Sequence, residues 1–329
     1  MAKKKNDKLE GLSQDFLTTA LKDMLRIRRF EEKAAQMYGL KKIGGFCHLY
    51  NGQEAVAVGS VAALDMKKDY VLTAYRDHGH AIACGMHPNV VMAELFGKVT
   101  GCSRGKGGSM HMFDKEKHFL GGNGIVGAQI PVATGVALSQ AYRGDGGATL
   151  CFFGDGAIHQ GAFHESLNLA AVWKLPIVYI VENNHFGMGT AVKRVSSVLD
   201  FDVKAQGYGL HGKVVEGMDF VEVYRAVKEA ADNARKTGTA LLLDIKTYRY
   251  KGHSMSDPAK YRTREELDKY KEQDPIVMLK KDLLEAGMIT DDEFKQWDKE
   301  MKQVAEESVK FAESSDEPPL HTMYEDIYA

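Results

Sequence analysis

Cysteine is scarce in this chain of 329 residues, and its four copies lie far apart in the sequence. Cys47, Cys84, Cys102 and Cys151 form no Cys-x-x-Cys pair. This spacing argues against a zinc ribbon and against the disulfide framework of small secreted domains. The usage fits a reducing compartment. A bacterial cytoplasm is the expected location, with the mitochondrial matrix as the alternative for a processed form.

The sequence also lacks a long apolar run and an excess of charge of one sign. No apolar stretch approaches the ~20 residues of a membrane-spanning helix, so no membrane is expected as a partner. The formal net charge is −2, so no overall positive field points to nucleic acid. With 44% hydrophobic and 27% charged residues, the composition is that of a globular protein with room for a large core.

The most informative feature present is a pair of short apolar runs that both end in polar residues. The runs are Ala148–Phe153, followed by Gly154-Asp155-Gly156, and Pro176–Val181, followed by Glu182-Asn183-Asn184. The intervening segment, 157–174, is long enough for a helix, which predicts a βαβ unit with parallel strands. Asp155 and Asn184 should then converge at the carboxyl ends of these strands.

A carboxylate and an amide oxygen suit a hard cation such as Mg²⁺, with phosphate oxygens completing its coordination shell. The pair Asp155 and Asn184 therefore predicts a magnesium–phosphate site. An ordinary strand–turn–helix with both side chains in solvent is the alternative that this segment alone leaves open.

Periodicity along the rest of the chain predicts one α/β domain with helical ends. Helices are predicted over 13–39, near 131–142 and over 221–235, and strands over 70–73, around 214–215 and over 240–247. Residues 1–12 are predicted to be a flexible tail, and 13–329 a single domain. Within it we expect a core over about 60–250, a mobile active-site loop over 251–262 and a helical C-terminal region over 263–329.

Two glycine-rich segments come close to nucleotide-binding motifs. Gly122–Gly127 satisfies Gly-x-Gly-x-x-Gly, but the sequence indicates no apolar strand before it. Gly101–Gly107 is one residue short of a P-loop and has no Ser or Thr after its lysine. An NAD-binding oxidoreductase is therefore kept only as the distant rival hypothesis.

Six segments, in order along the chain, carry a family resemblance. They are GFCHLYNGQEA (45–55), TAYRDHGH (73–80), GKGGSMHMF (105–113), GGNGIVGAQIP (121–131), the unit from Gly154 to Asn184, and TYRYKGHSMSDP (247–258). Together they resemble the alpha subunits of the first component of pyruvate dehydrogenase complexes, which are thiamine-dependent 2-oxo acid dehydrogenases. The resemblance runs from about residue 14 to the C-terminus. It implies an α/β, three-layer, parallel-sheet fold of the diphosphate-binding type, with a helical N-terminal arm and a helical C-terminal tail.

The resemblance also implies a role for each matching position. Thiamine diphosphate and Mg²⁺ are the implied cofactors, with the metal held by Asp155, Asn184 and the backbone carbonyl of Phe186. The other implied cofactor contacts are Tyr75 and Arg76 to the diphosphate, Gly124 and Val126 to the aminopyrimidine ring, and Gly156, Ala157 and His253.

His48 and His253 are the implied catalytic residues, because both lie in loops that match the active-site loops of the family. His253 is expected to touch the diphosphate, and His48 to meet the 2-oxo acid. Ser254 occupies the position that is phosphorylated in eukaryotic relatives, and is thus a regulatory residue to consider. Lys260 replaces the second regulated serine, which favours a bacterial enzyme without this control.

Partners follow from what the family does and from what this chain lacks. Thiamine enzymes place a glutamate against the aminopyrimidine ring from a second α/β domain, and no second sheet-forming series follows residue 250. The resemblance therefore implies a beta subunit, in a heterotetramer of two alpha and two beta chains, and a lipoyl-bearing acyltransferase as acceptor. Pyruvate is the expected substrate because Phe46 beside His48 favours a small one. Acetoin and branched-chain 2-oxo acid dehydrogenases are the alternatives.

Overall fold

The computed structural model describes residues 7–325 and 327, and a six-stranded parallel sheet forms its centre. The strands, including a small hairpin formed by β5 and β6, are β1 (Tyr70–Ala74), β2 (Phe119–Asn123), β3 (Thr149–Gly154), β4 (Ile177–Asn183), β5 (Phe186–Gly187), β6 (Thr190–Ala191), β7 (His211–Glu216) and β8 (Leu241–Lys246).

Eleven α-helices flank the sheet or extend from it in the described residues. They are α1 (Gln14–Gly39), α2 (Glu54–Ala62), α3 (His78–Ala83), α4 (Pro88–Leu95), α5 (Gln129–Arg143), α6 (Gly161–Trp173), α7 (Asp202–Gln206), α8 (Phe220–Thr237), α9 (Arg264–Lys271), α10 (Pro275–Glu285) and α11 (Asp291–Ser314).

The strand order indicates the ligand-binding edge of the sheet without reference to any motif. The order is β2-β1-β3-β4-β8-β7, so the chain runs to one side of β1 for β2 and to the other side for β3. Open α/β sheets bind ligands at the carboxyl ends of their strands where the order reverses in this way. β3 and β4 pair in register up to Gly154 and Glu182, so Asp155 and Asn184 leave the sheet side by side.

The two faces of the sheet belong to separate hydrophobic cores, which produces three layers. Leu150 and Phe152 face a core that includes residues of α1, α2, α8, α10 and α11. Cys151 and Phe153, which point the opposite way, face a core built with α5, α6 and α7. Burial on both faces explains why the central strands read as continuous apolar runs. The predicted three-layer α/β fold is confirmed.

The predicted βαβ unit is present, with two local differences around it. Residues Asp155–His159 form a 3-10 turn, so the helix begins at Gly161 and not at 157. The edge strand β2 ends in Gly121-Gly122-Asn123, directly inside the glycine-rich segment. The expectation that no strand precedes Gly122 is therefore wrong. Glycine weakens strand patterns, so this strand gives little signal in the sequence.

Capping explains where the terminal helices begin. Ser13 accepts the backbone N–H of Phe16 at the start of α1, and Thr290 with Glu293 forms the predicted reciprocal capping box of α11. The Thr263 hydroxyl accepts a hydrogen bond from the backbone N–H of Glu266. The Glu266 carboxylate accepts a hydrogen bond from the Tyr248 hydroxyl, so it does not complete the predicted capping box. α1 packs against α11, so the two helical ends of the chain meet.

The segment predicted as a flexible tail falls partly outside the described residues, which begin at 7. From there, Leu9 is buried, and Lys8 forms ion pairs with Asp219 and Asp282. After β8 the described residues form helices and loops, with no further strand among them. None of the helices in the described part of the chain is both long and apolar enough to cross a membrane.

Candidate active site

A cavity of about 240 Å³ lies at the carboxyl ends of β1, β3 and β4. Its wall comes from these strand ends and from two loops, and includes Tyr75, Arg76, Asp155, Asn184, Arg249 and His253. The cavity thus occupies the point at which the strand order reverses, as expected for a ligand site of an open α/β sheet.

Asp155 and Asn184 supply buried oxygen atoms to this cavity. Burial raises the pKa of Asp155 to about 6, which shows how poorly its ionised form is compensated by the protein alone. The Asn184 Nδ2 atom donates to the Gln53 Oε1 atom at 2.9 Å. That bond leaves Asn184 Oδ1 buried with no hydrogen-bond partner in the part of the chain described here. A cation between these two side chains would satisfy both.

The third implied metal ligand is the carbonyl of Phe186, in the hairpin that follows Asn184. Phe186 lines the cavity, and its carbonyl oxygen accepts only a long hydrogen bond, 3.3 Å, from Arg249 Nη1. Among the described residues, no three or more His, Cys, Asp or Glu side chains are grouped so that they could hold a metal ion by themselves. The oxygen set of Asp155, Asn184 and Phe186 is of the mixed kind that Mg²⁺ accepts together with phosphate.

Two buried arginines, Arg76 and Arg249, place positive charge in the cavity. Arg76 donates to the carbonyl oxygens of Leu49 at 2.5 Å and His253 at 2.8 Å. Arg249 donates to the Phe186 and Met188 carbonyls and to the Tyr261 hydroxyl. Neither guanidinium forms an ion pair with any described carboxylate. Burial and the neighbouring Arg249 lower the pKa of Arg76 to about 10. An anion with several oxygens is the ligand that this charge requires.

His253 lines the cavity, and the His48 ring, which is not part of the cavity wall, packs beside it with ring centroids 5.0 Å apart. The His48 Nδ1–H group donates to the His253 carbonyl at 2.8 Å, and Tyr75 packs against both rings. Burial and the positive charge of Arg76 lower the pKa of His48 to about 3 and that of His253 to about 4. Both imidazoles are therefore neutral at pH 7, and His253 Nδ1 is buried without a partner in the described structure.

The comparison with known proteins agrees with this geometry. The family model described as "Dehydrogenase E1 component" matches residues 22–321. The chain belongs to this dehydrogenase E1 family.

Similar proteins cover nearly the whole chain. The pyruvate dehydrogenase E1 component subunit alpha of Rhizobium meliloti is 53% identical over 309 residues, which are 94% of this chain and 88% of the relative. The protein of the same name from Rickettsia felis is 48% identical over 309 residues, 94% of each chain. That from Porphyra purpurea is 44% identical over 326 residues, 97% of this chain and 94% of the relative.

Three of the other cofactor contacts that the E1 resemblance implies line the cavity, and Gly124 is not part of its wall. These three are Val126, Gly156 and Ala157. Gly124 packs next to the His111 ring, where a Cβ atom would lie 3.1 Å from Nε2. Ser254 is buried, and its hydroxyl lies 2.9 Å from that of Ser256.

Among the cavity-lining residues that received no role from the sequence are Gln53, Glu182 and Arg249. Gln53 Nε2 is buried without a partner among the described residues, so it is a free donor at an anion site. Burial raises the pKa of Glu182 to about 7, and the Tyr50 hydroxyl donates to its carboxylate. All three lie in the segments that carry the resemblance, but only the folded loops reveal which way these side chains face.

The glycine-rich segment 101–108 binds a side chain of the protein itself. The buried Glu94 carboxylate accepts four backbone N–H groups at 2.7–3.0 Å, from Ser103, Gly105, Gly107 and Gly108. These four N–H groups therefore bind a carboxylate of the protein itself and are not open to a ligand. The loop is built around an internal anion, much as a nest of N–H groups binds a phosphate.

We expect Glu94→Ala to lower the thermal unfolding midpoint of the protein by several degrees. Each buried donor left without a partner costs roughly 1–3 kcal/mol, and this variant orphans four of them. Glu116→Ala, at an exposed position in a nearby turn, is the matched control. Equal midpoints for the two variants, measured by scanning calorimetry, would show that the loop does not depend on Glu94.

Proposed function

We propose that this E1 chain is the alpha subunit of a pyruvate dehydrogenase, and that its cavity holds the diphosphate of thiamine diphosphate together with Mg²⁺. The observation that carries the proposal is a single cavity that holds two buried arginines together with a buried carboxylate and an orphaned amide oxygen. Positive charge and cation ligands in one cavity suit a metal–diphosphate group and few other ligands.

Different residues of this chain would bind the metal and the diphosphate. Asp155, Asn184 and the Phe186 carbonyl would hold Mg²⁺, while Arg76 and Gln53 would donate to the diphosphate oxygens. The chemistry of decarboxylation is supplied by the bound cofactor. The protein contributes orientation, charge compensation and the exclusion of water.

His48 and His253 would move protons in the reaction. Their lowered pKa values keep both rings neutral at pH 7. An anion bound beside Arg76 would offset one cause of that lowering, and so would raise both pKa values toward the working pH of a proton acceptor. Because His48 Nδ1–H donates to the His253 carbonyl, Nε2 is the His48 atom that remains for the substrate. We propose that His48 serves the 2-oxo acid and His253 the later acyl transfer to a lipoyl group of a partner acyltransferase.

Pyruvate is the proposed substrate, and the names of the relatives support it. The Phe46 ring stacks at 6.4 Å from the His48 ring and limits the room above it. The test is to assemble the chain with its beta subunit, thiamine diphosphate and Mg²⁺, and to follow reduction of an artificial electron acceptor. Turnover should be fastest with pyruvate. A faster rate with 2-oxoisovalerate or acetoin would assign the enzyme to a sister group.

We expect the Mg²⁺-dependent affinity for thiamine diphosphate to fall with pH below about 6. Burial raises the pKa of Asp155 from 3.8 to about 6, and Mg²⁺ binds the ionised form. Binding should therefore weaken ~tenfold per pH unit below that value and level off above it. The raised pKa of Asp155 has the opposite effect on the folding stability of the ligand-free protein. Its contribution to the free energy of unfolding is fully present below pH 3.8 and is lost as the pH rises through about 6.

Isothermal titration calorimetry between pH 5 and 8 measures this dependence. Asp155→Asn is the control, because the cofactor's own titration is unchanged while the Asp155 contribution disappears. Parallel pH profiles for the wild type and the variant would contradict the assignment of Asp155 as the titrating ligand.

A further inference from the structure

A chain of buried polar side chains runs from α1 to the loop that carries His48. Glu31, on α1, lies 3.0 Å from His78 Nδ1. His78 Nε2 lies 2.8 Å from the Ser109 hydroxyl, and Ser109 Oγ accepts the backbone N–H of His48 at 3.0 Å. Glu31 and His78 are fully buried, and Ser109 is 4% exposed.

The hydrogen bonds assign a direction to this chain. The Glu31 carboxylate can only accept, so His78 Nδ1 carries a proton, and against the lowering effect of burial Glu31 raises the pKa of the ring. Nε2 accepts the Ser109 hydroxyl proton when the ring is neutral and donates to Ser109 Oγ when it is charged, and in both states an Oγ lone pair is left for the His48 N–H. With the ring neutral, each donor and acceptor in the series has a partner, a condition under which a buried polar network fixes one geometry.

Two of these residues, Ser109 and Glu31, together with Arg76, hold the backbone of the His48 loop at three consecutive positions. The His48 N–H donates to Ser109, the Leu49 carbonyl accepts from Arg76, and the Tyr50 N–H donates to Glu31 at 2.9 Å. Few loops have three successive backbone groups all bonded to buried side chains, because most connecting segments keep theirs in solvent. One of the three positions is His48 itself, whose ring packs against His253 in the cavity wall.

We infer that Glu31, His78 and Ser109 are positioning residues that fix the His48 imidazole for the reaction, an inference that rests on the proposed function of His48. None of the three lines the cavity, so their contribution passes through the His48 backbone. A displacement of about 1 Å at a reacting group can cost ~100-fold in rate. The network thus holds the backbone of His48, a loop residue, as firmly as that of a residue in a helix or a strand.

The test is a double-mutant cycle on the assembled enzyme with pyruvate and an artificial electron acceptor. Ser109→Ala should lower kcat ~10- to 100-fold, with the Kd for thiamine diphosphate changed less than about twofold. In a His48→Ala background the same substitution should change kcat less than about twofold, because its effect passes through His48. Ser103→Ala is the matched control, since its hydroxyl serves the same glycine-rich loop by donating to the His111 carbonyl.

Amide hydrogen exchange of the peptide 46–52 supplies a readout that needs no turnover. Ser109→Ala should speed exchange there about tenfold or more, since it removes the acceptor of the His48 N–H, whereas Ser103→Ala should not. Glu31→Gln is the second variant if Ser109→Ala does not assemble, with the same expected directions. Equal losses of kcat in both backgrounds, or unchanged exchange over 46–52, would overturn the inference. Absence of turnover in the wild type would refute the proposed function alone, because the exchange result stands without it.

Discussion

The chain on its own should turn over no 2-oxo acid, and activity should appear only after a beta subunit is added. The proposed diphosphate site lies in the cavity, but the described residues contain one parallel α/β sheet besides the small β5–β6 hairpin, with only helices and loops after β8. No second parallel sheet is therefore present in them to contact the aminopyrimidine ring.

The surface beside the cavity supports the need for a partner. Val126, which lines the cavity, is 43% exposed, and its neighbour Ile125 is 71% exposed. Phe46, next to His48, is 62% exposed. Apolar side chains gathered at the mouth of a site mark a surface that another protein covers.

Measurement of acceptor reduction by the alpha chain, the beta chain and their mixture decides the matter. We expect only the mixture to exceed the rate without enzyme. A mixture made with Asp155→Ala should assemble, as judged by gel filtration, and remain inactive. Pyruvate turnover by the alpha chain alone would show that the site is complete within one polypeptide.

Much of the site could be predicted from the sequence because its chemistry follows strand ends. Asp155 and Asn184 each come directly after a buried apolar run, and parallel strands bring such positions together. Tyr75 and Arg76 follow β1 for the same reason. The strand pattern therefore contains the information about these four residues.

The positions of the loop residues could not be predicted in that way. His48 and His253 are 205 residues apart, and they meet through the hydrogen bond from His48 Nδ1 to the His253 carbonyl. Gln53 and Arg249 line the cavity only because their loops fold back over the strand ends. Periodicity gives no signal for irregular segments, so resemblance alone points to the histidines, and nothing in the sequence singles out the two other residues.

We expect Arg76→Met to raise the Kd for thiamine diphosphate about 100-fold or more, the range seen when one partner of a buried charge pair is truncated. The Arg76 guanidinium has two tasks. It places positive charge in the cavity, and it bonds the carbonyls of Leu49 and His253, so it joins the loops that carry the two active-site histidines. Loss of kcat beyond the loss of binding should follow, even at saturating cofactor.

Arg76→Lys separates the two tasks, because lysine keeps the charge but lacks the planar fork that can reach two carbonyl groups and an anion together. We expect this variant to recover part of the affinity and little of kcat. Arg262→Lys is the matched control, since Arg262 also donates to loop carbonyls, those of Tyr250 and Lys251, but does not line the cavity. Fluorescence titration with thiamine diphosphate and steady-state kinetics give both quantities. If Arg76→Met bound the cofactor as tightly as Arg262→Lys, the diphosphate would have to lie elsewhere. If Arg76→Lys recovered kcat in full, charge alone would be sufficient, and the bonds to Leu49 and His253 would not hold the histidines in place.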